Sequence, residues 1–148
     1  MLGGTVAGAV LFGLAGCAGE QGADTADGRQ APSRVIALGQ GADADALIAL
    51  GIVPVAMSAG YQAPIYPWTA QALNGRPVEV IETNTTVPVE QVAALKPDLI
   101  VATTYYQLNP VRERLEQIAP VVGPGGGVDK ETWQTTTIRV GEAVGRAD

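Results

Sequence analysis

From Arg34 to Val122 the chain alternates short unbroken apolar runs with stretches whose apolar residues recur every three or four positions. The runs are Arg34–Leu38, Ile52–Met57, Val78–Ile81, Leu99–Ala102 and Val121–Val122. Leu99–Ala102, wholly apolar, predicts a parallel strand covered on both faces, Arg34–Leu38 reads as a first buried strand, and the others read as short strands of the same sheet. The periodic stretches predict helices over Asp43–Leu50, Val89–Lys96 and Pro110–Ile118, one or two turns over Thr69–Leu73, and a last helix over Glu131–Ala147.

Boundary residues agree with this division. Pro88 suits a first helical position, Glu90 complements the dipole of the first turn, and Pro97 stops the helix just after Lys96. Gly51 is placed to cap the Asp43–Leu50 helix, and Asn109 before Pro110 reads as an N-cap. Pro54 lacks a donor and belongs near the start of its strand or on an edge. Strand and helix in turn give an α/β class, a single Rossmann-like lobe with a mainly parallel sheet of about five strands.

The flanks differ in character. Leu2–Ala15 is apolar and Gly-rich, too short for the ~20 residues of a membrane span but of the size of a signal-peptide apolar region. Its end, Leu14-Ala15-Gly16-Cys17, resembles a bacterial lipobox, which implies lipidation of Cys17. No Lys or Arg precedes the run, a departure from that pattern; the other reading is a buried apolar segment with an incidental cysteine. Residues 18–32 are polar and predict a flexible tether. Residues 33–128 form the lobe, and 129–148 the start of a further helix. Gly123–Gly127 between them reads as a flexible joint or a plain surface loop.

Charge and composition narrow the function. A formal charge of −6 argues against a nucleic-acid surface. With no His and a lone cysteine, the usual general base, an internal disulfide and a Cys-based metal cluster are all missing. Gly39-Gln40-Gly41-Ala42-Asp43-Ala44 after a strand mimics a dinucleotide fingerprint, but Asp43 and Asp45 in the first helical turn would repel a pyrophosphate. The plainer reading is a tight turn with both aspartates as dipole partners. No enzyme is expected, since Asp43 and Asp45, two apart on a helix, do not face each other.

The candidate binding surface is aromatic. Gly60–Trp68 follows the second strand and carries Tyr61, Tyr66 and Trp68; Tyr105 and Tyr106 follow the fourth. Open α/β sheets bind ligands beyond the carboxyl ends of their strands, where these residues fall. Adjacent tyrosines point in different directions, so one of that pair faces a ligand. The alternative is a loop clamped onto its own domain. Arg112 and Arg114 read as solvated, with help to an anionic ligand as the other reading.

Glu90-Gln91-Val92-Ala93-Ala94-Leu95-Lys96-Pro97-Asp98-Leu99-Ile100-Val101 resembles the signature of substrate-binding proteins that serve iron-siderophore and cobalamin ABC importers, and the likeness extends in order from Arg34 to Asp148. The resemblance implies two α/β lobes joined by a long helix, of which this chain holds the N-terminal half. Trp133, Ile138, Val140 and Val144 would begin the interlobe helix, and the second lobe is absent. It implies capture of a ferric siderophore without chemistry and without a cofactor, with Tyr61, Tyr66, Trp68 and Tyr105 against the chelate. It further implies that Glu90, turned outward and away from that rim, docks on the membrane permease, which works with its ATPase subunits. The protein would be a monomer held by lipid on the extracytoplasmic face of the membrane. Cobalamin or haem is the alternative cargo on the same scaffold; bare zinc or manganese is disfavoured without His. A lipid-anchored structural domain is the reading outside this class.

Overall fold

The computed structural model describes residues 30–146. The lipobox with Cys17, most of the tether and the last two residues of the chain, Ala147 of the predicted final helix among them, lie outside the described residues. The sheet has five parallel strands: β1 Val35–Ala37, β2 Ala56–Ser58, β3 Glu79–Ile81, β4 Leu99–Val101 and β5 Val121–Val122. They lie side by side in the order β3-β2-β1-β4-β5. The helices are α1 Ala42–Ala49, α2 Pro67–Leu73, α3 Val89–Ala94, α4 Arg112–Glu116 and α5 Trp133–Ala143, with a 3₁₀ turn over Val128–Lys130.

The unbroken apolar strands are covered twice, as their sequence requires. Ile36, Leu38 and Ile100 pack with Val89, Val92, Val111 and Leu115 beneath α3 and α4. Val35, Ala37 and Val101 pack the other way, with Ala44 and Leu47 of α1 and Val140 and Val144 of α5. Burying one such Val, Leu or Ile contributes about 1.5–3 kcal/mol, so the central pair β1 and β4, wholly buried, anchors the lobe.

Several boundaries depart from expectation, among them α3, whose N-cap is Pro88 and which ends at Ala94 rather than Lys96. The second strand starts at Ala56 rather than Ile52, because Ile52 donates back to the Leu47 carbonyl and Val55 is the first residue to reach β1. α4 begins after Val111, which takes the N-cap place expected of Asn109. α5 ends at Ala143, with Gly145 at φ 70°, and begins with a Thr132–Thr135 capping box.

The glycine joint is also tied down more firmly than its composition suggests. The Gly125 N–H donates to Glu131 Oε1 at 2.6 Å, and Arg139 approaches the same carboxylate at 3.6 Å. A Cβ on Gly125 would fall 1.8 Å from the Arg139 guanidinium, so the missing side chain makes room for the arginine.

The amino edge is held by a separate clamp. Asp98, just before β4, accepts from the Ser33 N–H at 2.8 Å, the Ser33 hydroxyl at 2.9 Å and the Arg34 N–H at 2.8 Å. The Arg34 guanidinium in turn donates to the Leu95 and Lys96 carbonyls behind α3.

Candidate functional site

Strand order places the topological switch point between β1 and β4, since chain connections leave these neighbours in opposite directions. In open α/β sheets the crevice beyond the carboxyl ends of such a pair is the usual ligand position. Here the protein fills it. Asp43 is fully buried and accepts from the Gly39 N–H at 2.7 Å, the Thr103 N–H at 3.1 Å and the Thr103 hydroxyl at 2.5 Å. A phosphate would need those same donors. Asp43 does sit in the first turn of α1, as expected of a dipole partner, but it also joins the turn after β1 to the loop after β4. Burial pushes its carboxyl up to about 6, against the opposing pull of the Thr103 hydroxyl and the backbone N–H groups.

Exposed aromatic surface is left on either side of this plug. On the β2 side, Tyr66 and Trp68 stack with ring centroids 4.7 Å apart and planes 9° from parallel. Asp45 holds the pair in place. It accepts from Trp68 Nε1 at 3.0 Å and from the Thr69 hydroxyl at 2.7 Å, which fixes the start of α2 on α1. Tyr66 packs over two glycines: a Cβ on Gly60 would lie 2.7 Å from its ring, and one on Gly41, at φ 88°, 3.1 Å. The Tyr66 hydroxyl accepts from the Tyr61 N–H at 3.2 Å. Trp68 is 58 % exposed and Tyr61 75 % exposed, so each presents aromatic surface to solvent. This arrangement combines both sequence readings, for the loop is clamped to its own lobe and still exposes aromatic surface.

On the β4 side Tyr105, expected against the chelate, lies largely inside the protein. Its ring is 4 % exposed and packs in the core with Leu108 and Val111. Its hydroxyl faces the Thr83 carbonyl at 3.4 Å, and burial pushes the phenol up from its ordinary value. Tyr106 is the exposed member of the pair, at 71 %. It lines a recess of about 260 Å³ together with Tyr105, Asn109, Arg112, Pro124 and Val128. Arg112 is paired with Glu116 at 2.7 Å, and the bare Gly123 gives its guanidinium room to pass. The sequence read Asn109 only as an N-cap and Arg112 as solvated or as a help to an anionic ligand; the alternation of adjacent side chains raised the Tyr105/Tyr106 choice without deciding it.

Glu90 lies in the first turn of α3, with its side chain 84 % exposed, and accepts from Arg114 of α4 at 2.8 Å. α3 precedes the parallel strand β4, so its first turn lies at the carboxyl end of the sheet. Glu90 thus shares that end with the aromatic loop, which corrects the expectation that it points the opposite way. The two are separated by the sheet itself, since α3 covers one face and α1, against which α2 packs, the other. Among the described residues there is no cluster of three His, Cys, Asp or Glu that could hold a metal ion. Among the described residues, no helix is long and apolar enough to cross a membrane.

The sequence pattern of the periplasmic binding protein family matches residues 36–148. Over 94 residues the chain is 43% identical to the achromobactin-binding periplasmic protein of Dickeya dadantii (strain 3937), a stretch that is 62% of this chain and 29% of that protein. A solved periplasmic solute binding protein from Mycobacterium smegmatis shares the fold with a TM-score of 0.72 at 33% identity, covering 84% of this chain and 46% of that one. Staphylococcus aureus SirA, solved in complex with staphyloferrin B, gives a TM-score of 0.66 at 32% identity over 78% of this chain and 38% of its own. The chain spans less than half the length of these relatives.

Proposed function

The chain belongs to the periplasmic binding protein family, and from that premise we propose that it is the N-terminal, solute-capturing lobe of an ABC importer's binding protein for ferric siderophores. Its work is capture and delivery, without chemistry. The observation that carries this reading is the Tyr66–Trp68 stack, with Trp68 exposed, in the loop after β2 and the start of α2, in a chain 43% identical over 94 residues to an achromobactin-binding protein. The complex of SirA with staphyloferrin B, at 32% identity, supports the same class of cargo.

Trp68, Tyr61 and Tyr66 offer flat apolar surface to the chelate, and Tyr106 with Arg112 offers a second contact across the Asp43 plug. Tyr105 supports this wall from beneath. A pocket normally encloses most of its ligand, so one lobe supplies one wall and a second lobe the other. α5 is the start of the helix that leads to that lobe. Glu90 is the lobe's contact with basic residues of the permease, and the permease in turn engages its ATPase subunits. An exposed ion pair contributes about 0–1 kcal/mol, so Arg114 releases Glu90 to such a partner at little cost. The family supports a place outside the cytoplasm, and a lipid on Cys17, read from the resemblance of Leu14-Ala15-Gly16-Cys17 to a lipobox, is the proposed tether.

The test is tryptophan emission in a Trp133→Phe background, which leaves Trp68 as the only tryptophan. Ferric staphyloferrin B, ferric achromobactin and ferrichrome are titrated in turn. Saturable quenching by at least one, lost in Trp68→Phe, is the expected result. Emission flat across all three removes the reading.

A further inference from the structure

Trp68 also borders a recess that runs down the side of the lobe, between α1 and α2. Helical spacing sets two stripes along it: Asp45, Ile48 and Ala49 of α1, and Trp68 and Ala72 of α2. Together with Arg76 these residues line about 450 Å³. That falls within the range of roughly 300–1,000 Å³ typical of small-molecule sites, whereas the recess at Tyr106, at about 260 Å³, falls below it.

The walls are held apart by the sequence. Asp45 accepts from Trp68 Nε1 at 3.0 Å and from the Thr69 hydroxyl at 2.7 Å, which fixes the two helices to each other at one end. Farther along, Ala49 and Ala72 are both exposed and too small to fill the gap. At the far end α2 stops on Asn74 and Gly75, at φ 49° and 77°, and the left-handed turn brings Arg76 back over the helix. Its Nε donates to the Leu73 carbonyl at 2.9 Å and its Nη2 to the Ala72 carbonyl at 3.0 Å. A guanidinium has more donors than these two bonds use. The ion pairs among the described residues join Arg112, Arg114 and Arg139 to glutamates and leave Arg76 out.

We propose that this recess is a second binding site of the lobe, for a small aryl carboxylate. The flat ring packs against the indole, Ile48 and Ala72, and the acid group takes the remaining guanidinium donors. The spacing agrees with that occupant. The guanidinium is held at Ala72, one helical turn or about 6 Å along α2 from Trp68, which is the length of one ring with its carboxylate. The arginine is already fixed by its two backbone bonds, so little further ordering is needed to meet the anion. Asp45 sets the orientation: both of its oxygens are engaged, and its charge at the Trp68 end drives the acid group toward Arg76. An aromatic ammonium would be repelled by Arg76 and would find Asp45 occupied. The site shares only Trp68 with the surface assigned to the chelate, and it does not depend on the lobe's cargo.

The test is amide NMR of the chain titrated with 2-naphthoate and, in parallel, with 2-naphthylmethanol, its uncharged counterpart. The acid is expected to give saturable shifts in residues 45–49 and 68–76 and to bind roughly fivefold more tightly than the alcohol, the difference between a charge-assisted and a neutral hydrogen bond. Arg76→Gln is expected to erase that preference. Ala72→Leu, at an exposed helical position, is expected to fill the recess and weaken both probes several-fold, and it carries the test if loss of Arg76 unravels the end of α2. Shifts that do not saturate, equal affinity for acid and alcohol in the native chain, a preference that survives Arg76→Gln, or affinities unchanged in Ala72→Leu would each overturn the site.

Discussion

The two ends of the sheet use the same side chain in opposite ways. At the amino end, Asp98 is exposed, and although partial burial works against its charge, the Ser33 and Arg34 N–H groups and the Ser33 hydroxyl hold it below the ordinary carboxylate value. At the carboxyl end, Asp43 accepts a similar set of donors, yet complete burial outweighs them and raises it. Hydrogen bonds to a carboxylate favour its charge in both places; what differs is the water lost to make them. The amino end is therefore a pure fastening, strongest when charged. The carboxyl end carries a cost near neutral pH at the place where the lobe exposes its aromatic surface.

Substitutions can break or sharpen that contrast. The largest effect is expected at Gly39→Ala, where the new Cβ meets both Thr104 Oγ1 and Asp43 Oδ2; overpacking of this kind costs about 1–3 kcal/mol, at the upper end here. Urea unfolding would measure it, and a neutral result would mean that the crevice is open rather than plugged. Next comes Asp98→Ala, which removes the acceptor of three hydrogen bonds at an exposed site and should cost about 1–2 kcal/mol near neutral pH. Because the folded carboxyl is lowered, that stability is present above the unfolded value of 3.8 and is lost as pH falls through the folded one. The gap between native chain and variant should accordingly close in acid, and a gap that widens would contradict the clamp.

The smallest change is expected for Glu90→Ala and Arg114→Ala, an exposed pair whose loss should move stability by no more than about 0.5 kcal/mol. In a full-length binding protein carrying this lobe, Glu90→Ala should leave chelate binding intact and reduce uptake through the permease. Uptake at the native level would remove the docking role.

Much of this architecture was legible in the sequence, and for a definite reason. Buried parallel strands and their covering helices write themselves locally, as in Val35–Ala37 and Leu99–Val101 against the periodic residues of α1 and α3. The misread residues depend on partners far away in the chain. Asp43 looks like any first-turn acid until Thr103, sixty residues on, closes over it. Tyr105 and Tyr106 are equivalent as letters, and only the packing of Leu108 and Val111 decides which one turns inward. The glycines after β5 read as slack, whereas two arginines, Arg112 and Arg139, pass over them.

The most direct test of the account is to map a bound chelate onto the two edges. Gallium in place of ferric iron gives a diamagnetic staphyloferrin B complex, and amide NMR of the lobe follows its titration. Shift changes concentrated in residues 60–68 and 104–109, with residues 33–34 and 95–98 unmoved, are the predicted result. Changes gathered at the amino edge, or none anywhere, would contradict it.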